Sequence, residues 1–517
     1  MRVQRRRAAL GLVVVVLSGM VLASCSSSGS SAPPPRTWSG PVAEVKVSGP
    51  VTGGKGSVVL APSPPEPGQA PTVFDLASVG YTESEYFLSG TATAYTSDQP
   101  LTTDGVWTVK PAGTAPYVNR VVVRRPANSA DFNGTVLVEW LNVTGGLDAA
   151  PDWTYLAPEI IPSGYAWVGV SAQRVGIEGG GMNLGVDRVL KSFDPARYGS
   201  LTHPGDNYSY DMFSQAGAAV WRDSKTLLGD LDVRNVVAIG ESQSAGRLTT
   251  YVNAVSMNDQ VFDGYFIHSR SGSAAALSAD PLPAVAAPLG TQIRADLGRP
   301  VLVFSAETDV AGARGYGKAR QPETDTFRAW EPAGTAHADY YNLGGGGFDT
   351  GDGKNDIVYY STQLNPPNNV YNNLITCAAG INTGPHTYVL RTALRNFHVW
   401  VVDGVVPPSQ PQLKLDAAGN GYEVDELGLA KGGIRTPHVD VPIAVLTGLG
   451  QKGQALCSLF GGTVPLTNDV LTARYGTHDG FVTKFSESAK AAVAANAILA
   501  DDMEHLIEAA KAAKVLR

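Results

Sequence analysis

Residues 236–247 of the sequence, VVAIGESQSAGR, place Ser242 between an apolar run and a stretch of small residues. The apolar run is typical of a buried strand that ends at Gly240, and a helical pattern begins near Ser244 and continues to about residue 255. A turn this short needs small residues on both sides of the serine, because larger side chains would collide with the strand and the helix. The stretch therefore predicts a strand, a tight turn that carries Ser242, and a helix whose amino end favours negative charge beside that serine.

The segments on both sides of this stretch alternate between strand and helix patterns. Apolar or alternating runs predict strands at residues 83–95, 117–126, 134–142, 166–172, 233–240, 264–270, 299–306 and 327–337. Helical patterns lie at residues 153–161, 211–228, 244–255, 387–404 and 486–515. Such alternation is typical of a parallel sheet that is covered by helices on both faces. The expected fold class is therefore α/β, with a mostly parallel central sheet and a long, less regular C-terminal region.

The segment Gly240-Glu241-Ser242-Gln243-Ser244 resembles the nucleophile elbow G-x-S-x-G of α/β-hydrolases, with a serine in place of the second glycine. In that arrangement the backbone N–H of Gln243 donates to the oxyanion that forms during the reaction. A second donor is expected from the loop after the third strand, and the candidates there are Asn142 and Val143.

The order of residues after Ser242 matches that of an α/β-hydrolase, in which an acid follows a later strand and a histidine follows the last strand. Glu307 and Asp309 come directly after one predicted strand, and His337 follows the last one. Asp309 is the favoured acid because it lies three residues beyond Ala306, the last residue of the predicted strand, where folds of this kind often have the aspartate. Glu307 remains the alternative, since its longer side chain would reach the same imidazole. His337 would carry the proton between Ser242 and the leaving group.

Two alternatives to these assignments stay open. If Ser244 distorts the turn, that serine rather than Ser242 would face the pocket. His386 is the main rival of His337, because it also precedes a strong helical pattern. No predicted strand leads into His386, so we expect it to cap the helix or line a pocket.

Several longer stretches resemble a bacterial family described as alpha/beta hydrolase domain proteins. They are ESEYFLSGTATAY, RVVVRRPA, GTVLVEWLNVTGGLDAAPDW, GESQSAGRL, SAETDV, GTAHADYY, WVVDGVVPP and GGIRTPHVDVPIA, spread from residue 83 to beyond residue 440. The resemblance implies an α/β-hydrolase core with its nucleophile at Ser242. We place that core at residues 41–340 and expect residues 341–517 to form a C-terminal elaboration that covers the active-site edge.

The amino terminus has the features of an export signal. Four arginines precede an apolar run that ends in LASC, residues 22–25, which resembles the lipobox of bacterial lipoproteins. Residues 1–25 would then be a signal peptide, Cys25 would carry the lipid, and residues 26–40 would be a Ser/Pro-rich tether. We expect the protein on the outer face of the cell membrane, held there by Cys25. An ordinary cleaved signal, with secretion, is the alternative.

The composition and the remaining motifs exclude several classes of partner. The chain has 39 basic and 47 acidic residues, a formal net charge of −8, and no basic cluster of the kind that nucleic acid requires. No metal, nucleotide or dinucleotide motif is present, so no cofactor is expected. The acidic stretch at residues 344–356 lacks EF-hand spacing and is expected to be a solvated loop. Cys377 and Cys457 form a disulfide or remain free thiols.

The sequence therefore predicts an exported serine hydrolase that cleaves carboxylic esters through an acyl-enzyme intermediate. Its substrate would be a small-molecule, lipid or carbohydrate ester. One alternative is an acyltransferase of the cell envelope that uses the same three residues. The other is a surface binding module that has kept the fold without the activity.

Overall fold

A nine-stranded sheet forms the centre of the structure, which is a computed structural model that describes residues 38–56, 74–182, 188–371, 373–454 and 456–517. Its strands are β1 Lys46–Ser48, β2 Tyr81–Thr96, β3 Lys110–Pro126, β4 Thr135–Trp140, β5 Ala166–Val170, β6 Asn235–Glu241, β7 Gly264–His268, β8 Val301–Phe304 and β9 Phe327–Trp330. Their spatial order is β1-β2-β3-β5-β4-β6-β7-β8-β9. The run from β5 to β9 is parallel, whereas β1, β2 and β3 pair antiparallel with their neighbours.

The helices cover both faces of this sheet. In chain order they are α1 Pro151–Ser163, α2 Arg174–Glu178, α3 Leu190–Phe193, α4 Pro195–Tyr198, α5 Ser209–Arg222, α6 Ser224–Leu228, α7 Gln243–Ala254, α8 Ser256–Asp259, α9 Glu307–Val310, α10 Lys354–Ser361, α11 His386–Asp403, α12 Pro437–Asp440, α13 Asn468–Tyr475, α14 His478–Ala494 and α15 Ala500–Ala512. Helices α5 and α7 pack on one face, and α1 and α11 pack on the other. The predicted α/β fold, with a mostly parallel sheet between helices, is confirmed.

Side-chain burial explains why the central strands form. In β6, Val236 and Ala238 enter the core beneath α5 and α7, while Val237 and Ile239 enter the core beneath α1 and α11. A parallel strand that is covered on both faces is apolar at every position rather than at every second one. The predicted last strand is shorter than expected: it ends at Trp330, and the residues that follow, including Pro332, form the loop that carries His337.

The C-terminal residues contribute helices and small ribbons in place of strands of the central sheet. The ribbons are β10 Asn369–Val370 with β11 Ile375–Thr376, and β12 Ala444–Thr447 with β13 Gly462–Pro465. A disulfide joins Cys377 to Cys457, which lie 80 residues apart. Among the described helices, none combines the length and the apolar character needed to cross a bilayer. The predicted signal at residues 1–25, its Cys25, and residues 26–37 of the tether lie outside the described residues.

Candidate active site

Ser242 occupies a strained turn at the carboxyl end of the sheet, between β6 and α7. Its backbone φ is 61° and its ψ is −116°, a conformation that a residue other than glycine adopts only under strain. The N–H of Ser242 donates to the carbonyl of His268 at 2.9 Å, so β7 supports the turn from the side. A Cβ atom at Gly240 would lie 3.4 Å from Ser244, in van der Waals contact, so the strand and the helix lie close to each other at this turn.

Three side chains that are distant in sequence form a continuous hydrogen-bonded chain at this turn. The Oγ of Ser242 lies 2.6 Å from Nε2 of His337, and Nδ1 of His337 lies 2.6 Å from Oδ1 of Asp309. An ionised Asp309 accepts the Nδ1 proton, which leaves Nε2 of the neutral ring as the acceptor for the serine hydroxyl. Ser244, by contrast, is fully buried and does not line the cavity that Ser242 faces.

Neighbouring groups hold the acid and the imidazole in place. Oδ2 of Asp309 accepts the N–H of Ala306 at 2.9 Å, and Oδ1 accepts from Nε of Arg314 at 2.8 Å. The backbone N–H of His337 donates to the hydroxyl of Thr308 at 3.1 Å. The short helix α9 therefore positions both members of the pair, because Thr308 and Asp309 are adjacent on it.

Burial and charge set the ionisation of this pair. Burial, together with the positive charge of Arg314, lowers the pKa of His337 to about 4, although the carboxylate of Asp309 opposes both effects. Burial alone would raise the pKa of Asp309, but His337 and Arg314 hold it below its usual range. At neutral pH the site therefore holds a neutral imidazole beside an ionised carboxylate, which are the states that a general base and its orienting acid require.

Glu307 is the other acid that the sequence offered, and its side chain points elsewhere. Its two carboxyl oxygens accept the backbone N–H groups of Gly334 at 2.6 Å and Gly448 at 2.8 Å. Burial raises the pKa of Glu307 to about 7, although these two donors oppose the shift. The structure therefore brings Asp309, and not Glu307, into contact with the imidazole.

The predicted oxyanion donors belong to the start of α7 and to the loop after β4, and this loop lines the cavity that Ser242 faces. Gln243 is the first residue of α7, so its N–H has no acceptor within the helix. The backbone N–H of Asn142 is engaged, because it donates to the carbonyl of Ala149 at 2.8 Å. The N–H of Val143 has no acceptor among the residues that the structure describes. Of the two sequence candidates in this loop, Val143 is the one with a free backbone donor.

Glu241 is a site residue that the sequence interpretation missed, although it stands within the quoted stretch. One of its carboxyl oxygens lies 3.4 Å from Nε2 of His337, and the other accepts from the side-chain amide of Asn142 at 3.3 Å. Burial raises the pKa of Glu241 well above its ordinary value. A polar residue at the carboxyl end of a central parallel strand was the signal that would have identified it.

A cavity with a volume of about 110 Å³ opens onto Ser242 and His337. Its polar side comes from the loop after β4 and from the start of α1. Its apolar side is formed by Leu343, Tyr371, Leu456, Leu459 and Phe460. The Cys377–Cys457 disulfide lies in the same apolar cluster as Leu343 and Phe460. Among the cavity's described lining residues there is no lysine or arginine.

Two other sequence expectations have clear outcomes. His386 does not contact Ser242; it is the first residue of α11, fully buried, and its Nε2 lies 2.7 Å from Nε2 of His268.

The expectation of a solvated loop at residues 344–356 is wrong for its buried acids: Asp349 pairs with Arg391 at 2.7 Å and Asp356 is fully buried. The reason is that this loop packs against α11 and α15, which are distant in sequence.

Comparisons with known proteins place the chain in a family. Among solved structures, a glucuronoyl esterase from Solibacter usitatus is 12% identical, with 59% of this chain and 83% of that chain covered and a TM-score of 0.26. An esterase from Rhizomucor miehei is 14% identical, with 52% and 85% covered and a TM-score of 0.26. No curated protein matches the sequence. The family model described as "Alpha/beta hydrolase domain" matches residues 47–508, and the chain therefore belongs to that family.

Proposed function

We propose that the protein is a serine hydrolase that cleaves carboxylic esters. The observation that carries the proposal is the chain of two 2.6 Å contacts that links Ser242 to His337 and His337 to Asp309 at the mouth of a cavity. A nucleophile within hydrogen-bond reach of a base, which is itself oriented by a third group, is the arrangement that nucleophilic catalysis needs.

In the first half of the reaction, His337 removes the proton of the Ser242 hydroxyl as its oxygen attacks the ester carbonyl carbon. The carbonyl electron pair moves to oxygen, and the resulting oxyanion accepts from the N–H groups of Gln243 and Val143. When this intermediate collapses, the bond to the alcohol oxygen breaks. The departing alcohol takes the proton from Nε2 of His337, and the acyl group stays on Ser242.

In the second half, water replaces the alcohol. His337 removes one proton from the water as its oxygen attacks the acyl-enzyme carbonyl, and a second oxyanion forms. Collapse of this intermediate breaks the bond to Ser242, whose oxygen takes back the proton. The products are the carboxylic acid and the regenerated Ser242 hydroxyl.

The cavity favours esters whose acyl group is short and uncharged. Its volume of about 110 Å³ is smaller than the roughly 150 Å³ cavity that admits a benzene molecule in an engineered protein core. One side is apolar, and no cationic side chain lines it among the described residues. We propose in addition that a lipid on Cys25 holds the enzyme at the outer face of the cell membrane, with secretion after an ordinary cleaved signal as the alternative.

A fluorophosphonate probe tests the proposal directly, because it phosphonylates only an activated serine. We expect wild-type protein to be labelled and to hydrolyse nitrophenyl acetate. Ser242→Ala should lose both properties, while Ser244→Ala, two positions away in the same turn, should keep labelling. An unlabelled wild type that cleaves no ester would overturn the proposal, and so would persistent labelling of Ser242→Ala.

A further inference from the structure

A second hydrogen-bonded chain lies directly beneath the active site. Oδ1 of Asp152 lies 2.7 Å from Nδ1 of His268, and Nε2 of His268 lies 2.7 Å from Nε2 of His386. Nδ1 of His386 then lies 2.8 Å from the carbonyl oxygen of Ala336. The three side chains are fully buried, and none of them takes part in the reaction described above.

The direction of donation along this chain follows from its last acceptor. A carbonyl oxygen can only accept, so Nδ1 of His386 carries a proton and its Nε2, in the neutral ring, accepts. Nε2 of His268 must therefore donate, which leaves Nδ1 of a neutral His268 as an acceptor for a protonated Asp152. Burial shifts the pKa values in the directions this assignment needs: it raises that of Asp152, lowers that of His268 to about 3 and lowers that of His386 well below its ordinary value.

Two members of this chain, His268 and Ala336, lie next to the residues that react. The backbone carbonyl of His268 accepts the N–H of Ser242 at 2.9 Å. At the other end, Ala336 directly precedes His337 in the chain. The bond between His268 and His386 therefore ties the turn of Ser242 to the loop of His337 through buried groups.

The surroundings of the two histidines make this connection rigid. The ring of Tyr155 stacks on His386 with centroids 4.4 Å apart, and Phe304 packs against both imidazoles. No solvent reaches these groups to replace a lost bond. A buried donor or acceptor that loses its partner is costly, so each member of the chain has one favoured orientation.

We propose that His268 and His386 are positioning residues, which hold Ser242 and His337 at the separation that proton transfer requires. The inference rests on the proposed ester hydrolysis. A displacement of about 1 Å between reacting groups can lower a rate by about 10²-fold, so a bond that holds these two loops in register has a large effect on kcat.

Two amide substitutions at position 386 separate positioning from simple stabilisation. The side-chain nitrogen of asparagine in His386→Asn takes the place of Nδ1 and keeps the bond to Ala336. The side-chain oxygen of glutamine in His386→Gln takes the place of Nε2 and keeps only the bond to His268. Each variant loses one buried hydrogen bond, so we expect similar losses of thermal stability. Either substitution breaks the connection between the two loops, so the kcat for nitrophenyl acetate should fall by about 10- to 100-fold in both variants, with KM nearly unchanged.

His438 supplies a matched control. It is a fully buried histidine that packs against Tyr388, and among the described residues neither of its ring nitrogens has a hydrogen-bond partner. We expect His438→Gln to lower stability and to leave kcat unchanged. If instead it lowers kcat as much as His386→Gln does, the effect is general and the inference is overturned.

The remaining outcomes also decide the question. A wild-type kcat in folded His386→Asn or folded His386→Gln would overturn the inference, while activity of the wild-type protein would still uphold the proposed function. A wild type without esterase activity would overturn both. If the variants at position 386 do not fold, the pair at Asp152 replaces them: Asp152→Asn still donates to His268 and should keep kcat, whereas Asp152→Leu should lower it. A wild-type kcat in Asp152→Leu would overturn the inference.

Discussion

His337 contacts Asp309 at 2.6 Å, while Glu307, two residues earlier on the same short helix, points away from the imidazole. The two carboxyl groups therefore have different surroundings within one turn of chain. Asp309 accepts from a ring nitrogen and from Arg314, and Glu307 accepts from two backbone N–H groups. One acid orients the base, and the other joins segments of the fold.

Substitution of the two acids should separate these roles. We expect Asp309→Asn to lower kcat by about 10³- to 10⁴-fold, because the amide favours the wrong tautomer of His337. Glu307→Gln places an amide N–H₂ against a backbone donor, so it should lower the free energy of unfolding by about 1–3 kcal/mol and change kcat little. Steady-state kinetics of both variants measures kcat, and denaturant unfolding measures the free energy of unfolding. A larger loss of kcat in folded Glu307→Gln would reverse the assignment.

The pH dependence of kcat/KM should report the low pKa of His337. Only the neutral imidazole can accept the serine proton, so activity is lost as pH falls through a pKa of about 4. The profile should therefore stay flat through the range near pH 6.5, where an ordinary histidine titrates. In Arg314→Gln a positive charge that lowers this pKa is gone, and the acid limb should move to higher pH. An unchanged midpoint, or one moved to lower pH, would contradict this account.

The apolar wall of the cavity should set the acyl-chain preference. With nitrophenyl esters from acetate to palmitate, kcat/KM should be highest for acyl groups of about four carbons or fewer, given the small cavity. Leu459 is a half-buried wall residue, and Leu459→Ala should move the optimum to longer chains. Leu466→Ala removes a half-buried leucine that does not line the cavity, so its profile should match wild type. A wild-type optimum at palmitate would refute the predicted preference.

Local sequence pattern was sufficient for the central elements. The apolar run before Gly240 and the small residues after Ser242 determine a strand, a turn and a helix start, because each depends on side chains within a few positions of one another. The strands at β4, β5, β7 and β8 followed from similar short runs. The last strand was predicted too long because Pro332 and the residues beyond it interrupt the ladder after Trp330.

The sequence favoured Asp309 over Glu307 as the acid, but it could not settle the choice between them. Asp309 and Glu307 are two residues apart and both follow the same strand, so either acid could be expected to contact His337. The Glu307 carboxylate instead accepts the backbone N–H of Gly448, which lies more than a hundred residues later in the sequence. The same holds for Asn142, whose backbone donor is taken by Ala149. Nothing in the local pattern shows which donors are already satisfied.

By itself, the sequence determined the α/β class and the strand-turn-helix unit that presents Ser242, since these follow from hydrophobic periodicity and steric limits between near neighbours. Only the tertiary structure decided that His337 reaches the serine, that Cys377 meets Cys457, and that His268 bonds His386. Those contacts join residues separated by 80 or more positions. Their geometry is set by how the helices pack on the whole sheet, which no short stretch of chain contains.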